Sequence, residues 1–429
     1  MARATTALAF AQLEALTADA APLSPEASEC VAASTTAAGG APSFAALASS
    51  LGIPATPAAT DTDTDTDTDT AARPADRLPL RIVSGEATPA ERSCWRAYAA
   101  SGLHELLSQE LIEALAARIK ATLAAVTIRG LKQRPELNGE AAMVVGPLHE
   151  PSGRVPVRVI ATGEHIRAKP QNVFAQQQQQ KEEEEQAQAQ EQEEQEAGRR
   201  SAALVAQLPL LLECGAGNGV LAQRLSVALA GWARVAACDN GRDRIASGGA
   251  GAAHETAVTV QRLSSEAAIE RLQPSVVLVS WMPSGIDWTC HCRECPSVRE
   301  YILLGERDGS TCGDGWATWG LVPDNGYEYG LDDDSPKPYA ADGFVLTELA
   351  DVSRWQICRF DSAAARGFST AVAFTRADHH ERLARQQALR EADDADGETL
   401  AESWERMQRS LAEGRAERLP IQIETQIQH

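Results

Sequence analysis

Leu210-Leu211-Leu212-Glu213-Cys214-Gly215-Ala216-Gly217-Asn218-Gly219, followed by a helix-forming run over 221–230, decides the fold. Pro209 precedes a short apolar run, at a position where a missing backbone donor is tolerated, and the run reads as a buried strand. Three glycines at alternate positions then let the chain turn sharply and come close to a ligand, because no Cβ intrudes. A strand, a glycine loop and a helix in this order point to a nucleotide-cradling unit, with a purely structural glycine turn as the alternative. A dinucleotide fingerprint of the nicotinamide type would need glycine at position 220, where Val220 stands. That reading is therefore the weaker one.

Working outward, apolar runs over 210–213, 234–238, 257–261, 275–280 and 300–304 alternate with helical stretches, which predicts a parallel sheet with crossover helices. Two further runs, 354–360 and 367–375, have no helix between them and are expected to form an antiparallel hairpin at one edge. Asp239 closes the second strand, 22 residues beyond Gly217. A carboxylate there can accept hydrogen bonds from both hydroxyls of a ribose. Seven strands with a terminal hairpin, and a loop of acid, glycine, glycine, glycine, resemble the class I S-adenosylmethionine-dependent methyltransferases. The expected fold is thus an α/β, Rossmann-like, seven-stranded sheet. The resemblance implies S-adenosyl-L-methionine as cofactor, with Glu213 ordering the loop and the methionine end. Gly215, Ala216, Gly217 and Gly219 would give close backbone approach and Asp239 would hold the ribose, with Ser280 and Trp281 at the end of the fourth strand completing the set.

The segments after strands four and five carry the rest. Ser280-Trp281-Met282-Pro283 leads to Gly285-Ile286-Asp287-Trp288, and Gly305-Glu306 leads to Asp308-Gly309, Cys312-Gly313-Asp314, Trp316 and Thr318-Trp319-Gly320. Together with a lead-in of Trp95, Tyr98, Ser101-Gly102-Leu103-His104 and Leu107-Ser108, they resemble a little-characterised family of methyltransferase-like proteins over about half the chain. That resemblance implies fold and cofactor and names no substrate. Ligands in open α/β sheets lie beyond the carboxyl ends of the strands, so these loops are expected to roof the site, with glycines that permit mobility. A sulfonium methyl is already activated, so alignment is the main task and no obligatory catalytic residue follows. Glu306 and Asp287 are the nearest candidate proton acceptors, or else loop hydrogen-bond acceptors. Trp281, Trp288 and Trp319 either line a pocket for an apolar or cationic group or fill space. The Asn-Pro-Pro-Tyr segment that amino-group methyltransferases of nucleobases and glutamine resemble one another in is missing, which disfavours those substrates. Cys290, Cys292, Cys295 and Cys312 raise a zinc alternative, but only Cys292 and Cys295 have knuckle spacing, so no metal is expected.

The chain has 429 residues, 39 basic and 60 acidic, for a net charge of −21. The acidity sits in the flanks: the tract 181–196 holds eight Glu against one Lys, and 61–69 holds five Asp. With no dense Lys/Arg face in the apparent domain, nucleic acid is disfavoured as a partner. No apolar run is long enough to span a membrane, and Glu14 and Asp19 interrupt the first apolar stretch, so no membrane association and no secretory leader are expected. The nine cysteines then read as free thiols in an intracellular, cytoplasmic or nuclear protein, with organelle targeting as the alternative.

Residues 1–88 read as disordered low-complexity chain, 89–127 as a helical lead-in, and 128–173 as a small SH3-like β module. A Gln/Glu-rich linker follows over 174–200, the cofactor domain over 201–377, and a charged helical tail over 378–429. In the lead-in, Ser108 is expected to cap a helix that sets Leu111, Leu115, Ile119 and Leu123 on one face. The expected activity is methyl transfer to an unidentified small-molecule or protein acceptor. The alternative is a catalytically inactive methyltransferase-like module that binds a protein partner through the β module or the tails.

Overall fold

The computed structural model describes residues 24–35, 41–51, 53, 92, 95, 105–149, 152–174, 205–241, 258–308, 311–322, 331–332, 334–358, 361 and 368–395. Two helices, α1 (Pro25–Thr35) and α2 (Phe44–Leu51), overturn the reading of 1–88 as disordered for the part that contains them. Phe44, Leu47, Ala48 and Leu51 stand at i, i+3, i+4 and i+7, an apolar face that a window dominated by Ala, Ser and Thr hides. So short a helix is not stable alone. It is held because that face is buried against Leu106 and Ile357, with the Phe44 and Trp355 rings edge to face at 5.3 Å. The Glu110 carboxylate also accepts the Phe44 amide at 2.7 Å. The Asp-Thr repeat over 61–70 and the Gln/Glu tract lie outside the described residues.

In the lead-in, Glu105–Leu106 is a short strand, β1, where a helical stretch was expected, and α3 (Gln109–Ala124) follows. Ser108 caps α3 by accepting the Leu111 amide, and Leu111, Leu115, Ile119 and Leu123 are all buried as their spacing requires. The chain then turns extended at Ala125 and enters four antiparallel strands in sequential order: β2 (Ala125–Thr127), β3 (Ala141–Val144), β4 (Val155–Val159) and β5 (His165–Ala168). The module therefore begins at 125, straight off the helix. Its first and last segments are tied by Arg129 and Asn172, whose backbone N–H to carbonyl contact at 2.8 Å is backed by the Asn172 amide on the Arg129 carbonyl at 2.7 Å.

The main domain runs β6 (Leu210–Cys214), α4 (Val220–Ala228), β7 (Arg234–Cys238), β8 (Val260–Gln261), α5 (Ser265–Leu272), β9 (Val276–Ser280), α6 (Thr289–Glu294) and β10 (Glu300–Gly305). It continues through α7 (Pro338–Ala341), β11 (Phe344–Glu348), α8 (Ala350–Ser353), β12 (Ile357–Cys358), β13 (Thr370–Arg376) and α9 (Ala377–Ala395). The seven-stranded sheet has the order β11-β13-β10-β9-β6-β7-β8, with β13 antiparallel to both neighbours and every other pair parallel. This is a Rossmann-like α/β sheet. The edge differs from the expected hairpin: β13 pairs with 344–348, while Ile357–Cys358 pairs with Glu105–Leu106 in a separate two-stranded ribbon.

Alternate residues of each strand feed opposite faces, as the pleat demands. Leu211, Val276, Leu278, Ile302 and Leu304 pack under α3 and α4, while Leu212, Val277, Val279, Tyr301 and Leu303 form the opposite cluster with Ile269 and Cys292. Between α3 and the sheet, the fully buried Glu300 accepts from the Thr122 and Thr375 hydroxyls, each at 2.7 Å, and from the Arg118 guanidinium. Thr375→Val removes one of these donors and should cost about 1–2 kcal/mol in urea unfolding. An unchanged midpoint would show that the network does not depend on it.

The small sheet is not a separate body. Leu208, just before β6, and Trp232, just before β7, pack into its core, and the Leu148 amide donates to the Gly231 carbonyl at 2.9 Å. It therefore sits at the amino edge of the parallel strands. At the other end of the chain, α9 docks by His379, which is buried with Nε2 2.9 Å from the Thr122 carbonyl; residues 396–429 lie outside the described residues. Among the described residues no helix is long and apolar enough to cross a membrane.

Candidate functional site

The chain passes from β6 outward to β7 and β8, then crosses back to lay β9 on the other side of β6. The connections leaving the carboxyl ends of β6 and β9 thus diverge, and the crevice they leave is where such sheets take ligands. The glycine loop opens there. Gly215, Gly217 and Gly219 have φ of 71°, 55° and 77°, the left-handed region that only glycine enters freely. Their surroundings differ. A Cβ on Gly219 would lie 2.6 Å from Val260 Cγ2 and one on Gly215 would lie 2.8 Å from Trp288 Cζ3, whereas one on Gly217 would meet nothing within 4 Å among the described residues. Gly215 and Gly219 are required by packing, and of the three only Gly217 is open on its Cβ side among the described residues. Ala216 donates its amide to the Cys238 carbonyl at 3.0 Å, which fastens the loop to the end of β7.

Asp239 lies at that end. One of its carboxylate oxygens accepts the Gly217 amide at 3.0 Å and the other accepts the Gly241 amide at 2.7 Å, so it orders the loop and is held facing it. Glu213, at the end of β6, is 3% exposed, and its Oε2 has no hydrogen-bond partner among the described residues. Burial raises its pKa to about 8; the Ala222 amide pulls it back, and Cys238 and Asp239 add to the rise. A buried carboxylate with one oxygen unsatisfied is expensive unless a ligand completes it.

On the other flank, Ser280 ends β9, half-buried, and Trp281 follows with φ 57° and its amide on the Leu304 carbonyl at 2.7 Å. The Trp281 side chain joins the apolar cluster beside Met282, Cys312 and Trp319. Trp319 is packing: it is 1% exposed and its indole N–H donates to the Cys312 carbonyl at 2.6 Å. The two roof segments are tied together. Gly285 donates to the Gly313 carbonyl at 2.7 Å, Gly313 to the Met282 carbonyl at 3.1 Å, and Pro283 bridges Cys312. Of the glycines in these segments, Gly313 is required by packing, since a Cβ there would strike Thr318 at 2.8 Å.

Asp287 is fully engaged. It accepts from the Thr289 amide at 2.9 Å, from the Thr289 and Thr318 hydroxyls, and from Arg293 at 3.4 Å. Arg293 also holds Asp342 at 2.7 Å. This knot positions the 285–289 turn, and its geometry gives Asp287 the part of a loop acceptor. Glu306 is buried just past β10. The cysteines point to different partners: Cys290 to the Asp287 carbonyl, Cys292 to the Trp288 carbonyl and Cys295 to Ser297, while Cys312 abuts Gly305. Burial drives the Cys292 thiol well above its ordinary range, which opposes the thiolate that zinc needs. Among the described residues no three His, Cys, Asp or Glu side chains gather as a metal site.

The Trp288 contact on Gly215 and the hold of Arg293 on Asp342 were not legible in the sequence, because each joins segments far apart in the chain. No protein-family model matches the chain, and no curated protein does.

Proposed function

We propose that the chain binds S-adenosyl-L-methionine across the carboxyl ends of β6 and β7 and transfers its methyl group to a small-molecule or protein acceptor. The observation that carries this reading is Glu213: a buried carboxyl group with one oxygen unpartnered among the described residues, beside a glycine loop whose middle glycine is open on its Cβ side among those residues. A group with a cationic amine and a ribose fits that donor set. Glu213 would meet the amine end, Gly215, Ala216, Gly217 and Gly219 would allow the backbone close, and Asp239 would take the ribose, with Ser280 and Trp281 closing the β9 side. The cofactor supplies a methyl group already activated on a sulfonium. The chain's own part is then to orient and to exclude water, which suits a site whose roof segments are cross-tied and whose Asp287 is occupied. Glu306 remains the candidate for accepting a proton from the acceptor.

The small β sheet, read as an SH3-like module, belongs to the same proposal as a partner-binding element. It stands at the opposite edge of the strands, so an acceptor protein would dock there without covering the cofactor. Asp239→Asn tests the site. It keeps the shape but loses the charge and one of the two acceptors that hold the Gly217 and Gly241 amides, and should weaken binding of S-adenosylmethionine about tenfold by calorimetry. A folded variant with unchanged affinity would remove Asp239 from the site.

A further inference from the structure

The glycine loop is flanked by different chemistry on its two sides. On the β7 side stands the Asp239 carboxylate. On the β9 side stands an indole: a Cβ added to Gly215 would lie 2.8 Å from Cζ3 and 3.0 Å from Cη2 of Trp288, so the outer edge of the six-membered ring abuts the first glycine of the loop. Trp288 is half-buried, and its backbone is held from both sides. Its own amide meets Met282 Sδ at 3.4 Å, and the residues before and after it, Asp287 and Thr289, are locked by each other, Thr318 and Arg293. By contrast Trp281 and Trp319 are buried in the core, and Trp316 lies under the Lys337 ammonium at 5.1 Å. Trp288 is the tryptophan set against the loop, and the packing of the roof is built to keep it there.

We propose that Trp288 is a specificity-determining residue that reads positive charge on the ligand's sulfur, an inference that rests on the cofactor reading above. If Asp239 holds a ribose on the β7 side of the loop, the Trp288 indole on the β9 side would flank the group that the ribose carries. An indole face attracts a cation and offers a neutral thioether only ordinary contact. The ring therefore favours the sulfonium form over the demethylated form, S-adenosylhomocysteine, which helps the spent ligand to leave.

The test is calorimetry of the full chain with both ligands, on wild type, Trp288→Leu and Trp288→Phe, with thermal melts to establish folding. Trp288→Leu should weaken S-adenosylmethionine about tenfold and S-adenosylhomocysteine by less than about twofold, and Trp288→Phe should restore most of the preference. Loss by the same factor for both ligands, or no loss for either, would reduce Trp288 to packing and overturn the proposal. Should Trp288→Leu not fold, Trp288→Met gives the same comparison with a longer, more flexible side chain of about the same volume. Wild-type protein that binds neither ligand would sink the cofactor reading itself, which separates that failure from this one.

Discussion

At pH 9 the Glu213→Gln protein should be more stable than wild type by about 3–5 kcal/mol, and the advantage should vanish near pH 4. The size follows from moving a fully buried carboxyl from its ordinary pKa of 4.5 to about 8, at 1.36 kcal/mol per unit, taken as an upper range. Its direction follows from the proton count. The folded protein holds the Glu213 proton up to pH 8 while the unfolded chain releases it near 4.5, so the stability this group gives is complete below 4.5 and is lost as pH rises to 8. Urea unfolding of both proteins across pH 4 to 9 checks it; parallel curves would show that Glu213 is not buried as described. Ligand binding should run the other way. If a cationic amine pairs with the carboxylate, wild-type affinity should rise with pH by up to about tenfold per unit until pH 8, and Glu213→Gln should abolish that rise.

Gly217→Val should separate function from folding. At φ 55° a side chain costs about 1–2 kcal/mol of backbone strain, but a Cβ there meets nothing within 4 Å among the described residues, so the variant should still fold. The side chain would fill the space kept for the ligand, and affinity should fall about a hundredfold. Gly219→Ala should behave oppositely, with folding itself failing first, because its Cβ would lie 2.6 Å from Val260 and the residue also needs φ 77°. Equal melting losses for the two, with binding retained in Gly217→Val, would mean that the loop is a structural turn.

The local parts of this arrangement were legible and the long-range parts were not. Glu213, the three glycines and Asp239 stand in one strand-loop-helix-strand unit, where spacing alone carries the geometry. The Ser108 cap and the Leu111 to Leu123 face are likewise set by helical period. What failed depends on partners distant in sequence. Ile357–Cys358 looked like a sheet-edge strand because it is apolar, yet it pairs with Glu105–Leu106, and the edge goes to Phe344–Glu348. Phe44 and Leu47 sat in a composition that reads as disorder, and only their burial on Ile357 makes a helix there. Trp288 was one of three equivalent tryptophans until the fold put it on Gly215.

The most direct measurement is calorimetric titration of the wild-type chain with S-adenosylmethionine at pH 8, with Gly217→Val as a folded control. The account predicts one site per chain in the wild type and binding about a hundredfold weaker in the variant. Absence of binding in folded wild type, or equal binding in both proteins, would contradict it.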